Sequence, residues 1–202
     1  MTDIKFNKVL ISINALIPLA LLSYDGFRGQ LGANPVEFFI RTTGVMTLAF
    51  LLITLAVTPL RKLLNWNEAI KYRRMLGLYA FFYACLHLSS YLVFDRGLSL
   101  SATVTDVIQR PFITIGMAAY LMMVPLAVTS TNGMIKRLGG KRWQRLHRLI
   151  YLIAPLGAIH FYMLVKSDVF YPVIFGFVVA VLLLYRVYAK QQKKMVRPAV
   201  AR

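Results

Sequence analysis

Long apolar runs alternate with short charged gaps along the whole chain. Six runs stand out, near 9–23, 42–58, 77–94, 113–128, 149–165 and 169–188. A helix needs about 17–25 residues to cross the hydrocarbon core of a bilayer. Most runs reach that length once their flanks are counted, and the first is the shortest. Lys5 and Lys8 ahead of it resemble the charged start of a signal peptide, but Leu21-Leu22-Ser23-Tyr24 offers no small-x-small cleavage site. The first run therefore reads as a retained span. The pattern predicts an all-α, polytopic membrane bundle of six transmembrane helices forming a single domain over 1–202.

The gaps set the orientation. Nineteen of the 24 Lys and Arg fall in the N-terminal tail (Lys5, Lys8), after the second run (Arg61, Lys62, Lys71, Arg73, Arg74), after the fourth (Lys136, Arg137, Lys141, Arg142, Arg145, Arg148) and at the C-terminal end (Arg186, Lys190, Lys193, Lys194, Arg197, Arg202). Only Arg28, Arg41, Arg96, Arg110 and Lys166 lie on the other side. The positive-inside bias then puts both termini in the cytoplasm.

Composition removes the competing classes. The chain has 58% hydrophobic and 15% charged residues, against about 25% charged in a soluble domain. Few charges and 13% aromatics exclude disorder. Cys85, the single cysteine, excludes a disulfide scaffold. A net charge of +17 raises nucleic acid as a partner. The topology and the anionic bilayer surface account for that charge better.

An internal similarity follows. Leu55-Ala56-Val57-Thr58 ends the second run and Leu126-Ala127-Val128-Thr129 ends the fourth. Each leads through a basic linker to an aromatic-plus-Arg entry, Tyr72-Arg73-Arg74 or Trp143-Gln144-Arg145, and then to a histidine deep in the next run. Helices 2–3 and 4–5 thus read as a parallel repeat, with its axis along the membrane normal.

The only histidines, His87, His147 and His160, all fall on the third and fifth helices. An ionisable residue inside a span is costly and marks function. The repeat puts His87 and His160 at comparable depth in the outer half of the bilayer, and two neutral imidazoles there suit a metal. Zinc wants further ligands, whereas all seven acidic residues sit in tails, loops or span edges. Haem needs two axial ligands, and without a Cys-x-x-Cys-His motif it is non-covalent haem b. The plain alternative is that each histidine hydrogen-bonds a neighbouring helix. His147, beside Arg145 and Arg148 at the interface, is either a further ligand or an ordinary wet-edge ring. A His–x12–His helix can serve two stacked haems, but Arg74 stands where a second inner histidine belongs, so one complete bis-histidine site is predicted.

These residues resemble the ferric-reductase-like transmembrane superfamily, which includes NADPH-oxidase membrane domains. More closely, Thr58-Pro59-Leu60-Arg61, Arg73-Arg74-Met75-Leu76-Gly77, His87-Leu88, Arg110-Pro111-Phe112-Ile113-Thr114-Ile115-Gly116, Leu126-Ala127-Val128-Thr129-Ser130 and Trp143-x-x-Leu146-His147-Arg148-Leu149-x-Tyr151 are similar to the haem-binding membrane subunits of periplasmic methionine-sulfoxide reductase systems, the MsrQ type. The resemblance implies a bacterial inner-membrane carrier with haem b and flavin mononucleotide (FMN). It would take electrons from the quinone pool or a cytoplasmic flavin reductase and pass them to a periplasmic molybdenum-containing methionine-sulfoxide reductase. His87, His147 and His160 occupy the family's histidine positions. Arg73 and Arg74 are the candidates for an anionic or carbonyl group at the inner side, since a guanidinium fork suits such oxygens; anchoring the third helix is the equal alternative.

Two competing functions are a self-contained ferric or quinone reductase of the same superfamily and a small histidine-based transporter. The latter is weakened by the lack of a deep acidic residue. No catalytic triad or carboxylate pair is present, which argues against intramembrane hydrolysis; the resemblance implies that the final reaction belongs to a partner. The gap from Asp95 to Arg110 is long for a plain connection and is the expected docking surface for that partner. Leu60–Ile70 is expected to lie in the interface plane.

Overall fold

The computed structural model describes residues 3–199, with side chains through Gln192. The side chains of Lys193, Lys194, Arg197 and Arg202, counted above as cytoplasmic charge, lie outside the described residues. The chain forms nine α-helices among the described residues: α1 (Asp3–Phe27), α2 (Pro35–Leu63), α3 (Arg73–Ser90), α4 (Leu100–Gln109), α5 (Pro111–Val128), α6 (Asn132–Leu138), α7 (Gly140–Leu146), α8 (Ile150–Leu164) and α9 (Phe170–Ala199). No strand occurs among those residues, as expected.

Five helical stretches are long and apolar enough to cross a membrane: Asp3–Phe27, Pro35–Leu63, Arg73–Asp95, Pro111–Val128 and Phe170–Gln192. The fifth expected run is α8, which has 15 residues and so spans about 22 Å of a hydrocarbon core about 30 Å thick. It is shorter than the apolar run suggests because the chain enters it through a 3-10 turn, His147–Leu149. His147 thus stands ahead of α8 rather than on it.

α2, α3, α5 and α8 make the centre of the molecule. Leu55, Ala80, Ile153 and Ala154 have no exposed surface. Ala84, Ala119 and Ala158 are also buried there, and small residues let helices approach closely where lipid supplies no hydrophobic drive. α9 packs on α8 and α2. α1 is pinned to α3 by the buried Tyr83 hydroxyl, which donates to the Ala15 carbonyl at 2.7 Å. Its near end is held by Asn7, which donates to the Tyr72 hydroxyl. Leu121, Phe177 and Leu184 are 60–68% exposed on the outer surface, an arrangement suited to lipid rather than water.

The helix ends follow local chemistry. Asn34 caps α2 by accepting from the Glu37 backbone N–H, and Pro35 sits at its first position, where a missing N–H costs nothing. Pro59 inside α2 frees the Leu55 carbonyl four residues back. The Arg186 guanidinium on α9 takes that carbonyl at 2.6 Å.

The Asp95–Arg110 connection is largely ordered helix. A single π-helical turn, Tyr91–Asp95, extends α3, and Ser99 caps α4. The buried Asp106 on α4 draws these pieces together. It accepts from the Tyr91 hydroxyl at 2.6 Å and pairs with Arg96 at 2.8 Å and Arg110 at 3.3 Å. Leu60–Ile70, expected in the interface plane, comprises the end of α2, which continues to Leu63, and a short 3-10 helix that begins at Asn67.

Removing a buried carboxylate leaves its cations unpaired, a loss of about 3–5 kcal/mol in a fully buried pair. Here Arg110 is half exposed and the effect is smaller. Asp106→Ala is expected to lower the thermal midpoint in detergent clearly, whereas Asp95→Asn, which removes only a surface contact to Arg96, leaves it nearly unchanged. Tryptophan-monitored melting checks both.

Candidate functional site

His87 on α3 and His160 on α8 face each other across the bundle with ring centres 6.1 Å apart and planes at 83°. Each ring is held the same way. His87 Nδ1 lies 2.8 Å from the Ile40 carbonyl on α2, and His160 Nδ1 lies 2.6 Å from the Phe112 carbonyl on α5. A carbonyl only accepts, so Nδ1 is the protonated nitrogen in both rings. Nε2 keeps its lone pair and has no hydrogen-bond partner among the described residues. That tautomer, fixed by a backbone acceptor, is the one a metal-ligating imidazole takes.

A glycine lies one helical turn beyond each carbonyl. A Cβ on Gly44 would stand 3.0 Å from His87, and one on Gly116 would stand 2.7 Å from His160 Nδ1. Glycine is what allows ring and helix backbone to touch. Two metal–nitrogen bonds of about 2 Å each put ring centres roughly 6 Å apart, close to the observed spacing. The pair lines a cavity of about 540 Å³ with Gly44, Gly116, Tyr91 and Arg110, within the range of small-molecule and cofactor sites. The residues therefore fit a group whose metal His87 and His160 would hold, and the cavity would have room for a macrocycle. Among the described residues no group of three or more His, Cys, Asp or Glu is placed to hold a bare ion.

The other expected residues lie elsewhere. His147, Arg73 and Arg74 line a second cavity of about 450 Å³ toward the opposite end of the bundle. Leu51, Met123 and Ile153 line both spaces and form the wall between them. His147 stacks on Trp143 with ring centres 3.8 Å apart. Its Nδ1 lies 3.1 Å from the Trp143 carbonyl and its Nε2 3.4 Å from Ser130 Oγ. Burial pushes the His147 imidazole below its ordinary pKa, and the Arg73 charge acts in the same sense against the backbone acceptors. Arg74 donates to Asn132 at the start of α6. Arg73 stays in the cavity wall.

This chain is matched over residues 43–158 by the family model described as ferric reductase like transmembrane component. A protein of Herminiimonas arsenicoxydans named protein-methionine-sulfoxide reductase heme-binding subunit MsrQ is 53% identical over 196 residues, covering 96% of this chain and 90% of that protein. Proteins of the same name from Rhodospirillum rubrum and Caulobacter vibrioides are 47% and 45% identical, covering 90% and 89% of this chain and 88% and 85% of those proteins. The chain belongs to the MsrQ family.

Membership in the MsrQ family agrees with the resemblance carried by the sequence motifs and makes this a multi-pass membrane protein. The matched segment contains His87, His147, the two flanking glycines and the Ile153 wall, and it ends two residues before His160. Sequence reasoning missed four contributors: the Ile40 and Phe112 carbonyls, and Gly44 and Gly116. A glycine inside each of two apolar runs, 14 residues ahead of Thr58 and 13 ahead of Thr129, was the available signal. It also missed Arg186, which was counted only as terminal charge.

Proposed function

We propose that this chain is a haem b electron-transfer subunit of the bacterial inner membrane, with His87 and His160 as the axial pair. The observation that carries the reading is the facing pair itself: two imidazoles one metal apart, both fixed in the ligating tautomer by backbone carbonyls. A haem there supplies reversible one-electron iron chemistry. The chain's own work is to orient the rings, exclude water with Leu48, Leu51 and Phe112, and present cations at the rim through Arg41 and Arg110.

The proposed topology has six spans, α8 being the short one, with both termini cytoplasmic. The lysine and arginine distribution supports that orientation. It puts the histidine pair in the outer half and the His147 cavity at the inner side. The repeated carbonyl–glycine–histidine arrangement supports reading α2–α3 and α5–α8 as a parallel repeat. Electrons then enter at the inner cavity, bounded by Arg73, Arg74 and His147, and leave from the outer one. On the family resemblance the donor is the quinone pool or a cytoplasmic flavin reductase, with FMN as the second cofactor. The acceptor is a periplasmic molybdenum-containing methionine-sulfoxide reductase. The relatives' printed name, a heme-binding subunit of protein-methionine-sulfoxide reductase, supports a methionine-sulfoxide reductase as the acceptor. The lining of the inner cavity, which contains no carboxylate, supports electron carriage over the transporter reading.

Purified protein is expected to carry a dithionite-reducible haem absorbance, and the reduced form is expected to be reoxidised by a periplasmic methionine-sulfoxide reductase given methionine sulfoxide. Colourless protein after expression with added haem overturns the assignment. Coloured protein that reduces ferric chelates at the same rate with or without the reductase favours the self-contained ferric reductase.

A further inference from the structure

α4 is amphipathic with its polar side turned inward. At about 100° per residue its residues sort into three sides. Thr103 and Asp106 are buried against the protein. Asp106 is the only charge on α4, and Arg96 and Arg110 neutralise it there. Leu100, Val104 and Ile108 follow one another at i, i+4 and i+8 as an outward apolar stripe. Leu100 and Ile108 are 77% and 76% exposed, and Val104 is half exposed. Ser101, Thr105 and Gln109 stand beside them at the same spacing, also exposed but polar and uncharged.

Both ends of α4 are held where two spans stop. The span Arg73–Asp95 ends five residues before it, and Pro111–Val128 begins two residues after it. Thr114 on α5 donates to the Val107 carbonyl, which fastens α4 to the start of that span. Leu98, just ahead of α4, is another exposed leucine. It holds a left-handed backbone, φ +60°, which a leucine adopts only at a steric cost. An apolar stripe beside a polar one, at the level where spans leave the hydrocarbon, has the form of a helix lying in the interface plane.

We infer that the partner of this face is the bilayer itself: α4 lies in the membrane interface at the histidine-pair end of the molecule. Leu100, Val104 and Ile108 enter the acyl boundary, and Ser101, Thr105 and Gln109 face water. The sequence alone marks the Asp95–Arg110 connection as a docking surface for a partner reductase. The two flanking spans and the uncharged wet stripe favour lipid. With no unpaired cation on α4, apolar burial rather than attraction to anionic headgroups holds it. Tyr91 and Arg110, the partners of Asp106, line the histidine cavity, so that cavity then opens near headgroup level.

Site-directed spin labelling tests this in the full-length chain. Cysteine replaces one residue at a time (Leu100→Cys, Val104→Cys, Ile108→Cys, and Ser101→Cys, Thr105→Cys, Gln109→Cys) in a Cys85→Ala background. Each labelled protein is placed one chain per nanodisc of neutral phosphatidylcholine. Collisions with oxygen, which concentrates in lipid, and with a water-soluble nickel chelate are then compared. The oxygen-to-nickel ratio is expected to be several-fold higher at 100, 104 and 108 than at 101, 105 and 109. Circular dichroism confirms the fold of each sample.

Equal ratios along the helix, with nickel reaching all six sites, overturn the inference. So does nickel access at 104 and 108 that a methionine-sulfoxide reductase abolishes when added, which assigns the face to a protein partner. Protection that appears only when several chains share one vesicle assigns it to a second copy and overturns the inference as well. If Cys85→Ala fails to fold, the scan runs in the natural chain with the Cys85 signal subtracted.

Discussion

His87→Ala and His160→Ala should each leave the protein without a stably held haem, while His147→Ala keeps the reducible band. Groups that only hydrogen-bond a ligating residue already cost about 10–100-fold in metal affinity when removed, and a ligand itself costs more. Each alanine also removes the ring that carries one half of a two-sided grip. The two sides are alike in how they are made, a ring on α3 or α8 bonded to a carbonyl on α2 or α5, so the losses should be similar. Haem-to-protein ratio after detergent extraction measures it, with circular dichroism confirming that helix content survives. The contrast with His147 is the sharper half of the prediction. That ring lies in the other cavity, stacked on Trp143, and faces no second imidazole. Loss of the band in His147→Ala with the fold intact would mean that the haem site is not built from the facing pair alone.

Long runs of apolar residues made the spans legible, because burial in lipid imposes its requirement on every face of a helix and so survives in a one-dimensional pattern. α2, α3, α5 and α9 extend past the expected runs at one or both ends for the same reason: caps and charged flanks such as Pro35, Glu37, Arg61 and Lys62 remain helical after the apolar run stops. The three histidines were legible by scarcity. What escaped was everything that depends on rotation and approach. Hydropathy makes Gly44 and Gly116 look like neutral members of apolar runs, and only the closeness of a neighbouring ring gives them a role. Arg186 reads as one more cytoplasmic cation until α9 is laid against α2 and its side chain meets a carbonyl released by Pro59. The Asp95–Arg110 connection reads as a loop because Asp95, Arg96 and Asp106 look like surface charge. Their mutual pairing with Arg110 and Tyr91 is what lets an amphipathic helix form there with its polar side inward.

Gly116→Ala is the substitution where those hidden constraints are expected to show most strongly. In a free helix the change is favourable, since glycine costs about 1 kcal/mol relative to alanine. At this position the added methyl would stand 2.7 Å from His160 Nδ1 and 2.8 Å from its Cε1, well inside contact distance. The ring cannot swing away cheaply, because the same nitrogen donates to the Phe112 carbonyl one turn earlier on the same helix. Either that hydrogen bond breaks or α5 and α8 move apart, and both spoil the facing geometry. Forcing an extra carbon into a well-packed interior costs about 1–3 kcal/mol. That corresponds to a roughly 5- to 150-fold loss of haem affinity if the whole cost falls on the ligated state. Gly44→Ala meets His87 at 3.0 Å, a milder overlap, and should weaken binding less. Gly176→Ala on α9, where a Cβ meets nothing within 4 Å, should leave haem content unchanged. Competition for haem by an apo-acceptor protein orders the three. Equal retention in Gly116→Ala and Gly176→Ala would mean that the close approach of α5 to His160 plays no part in holding the ring.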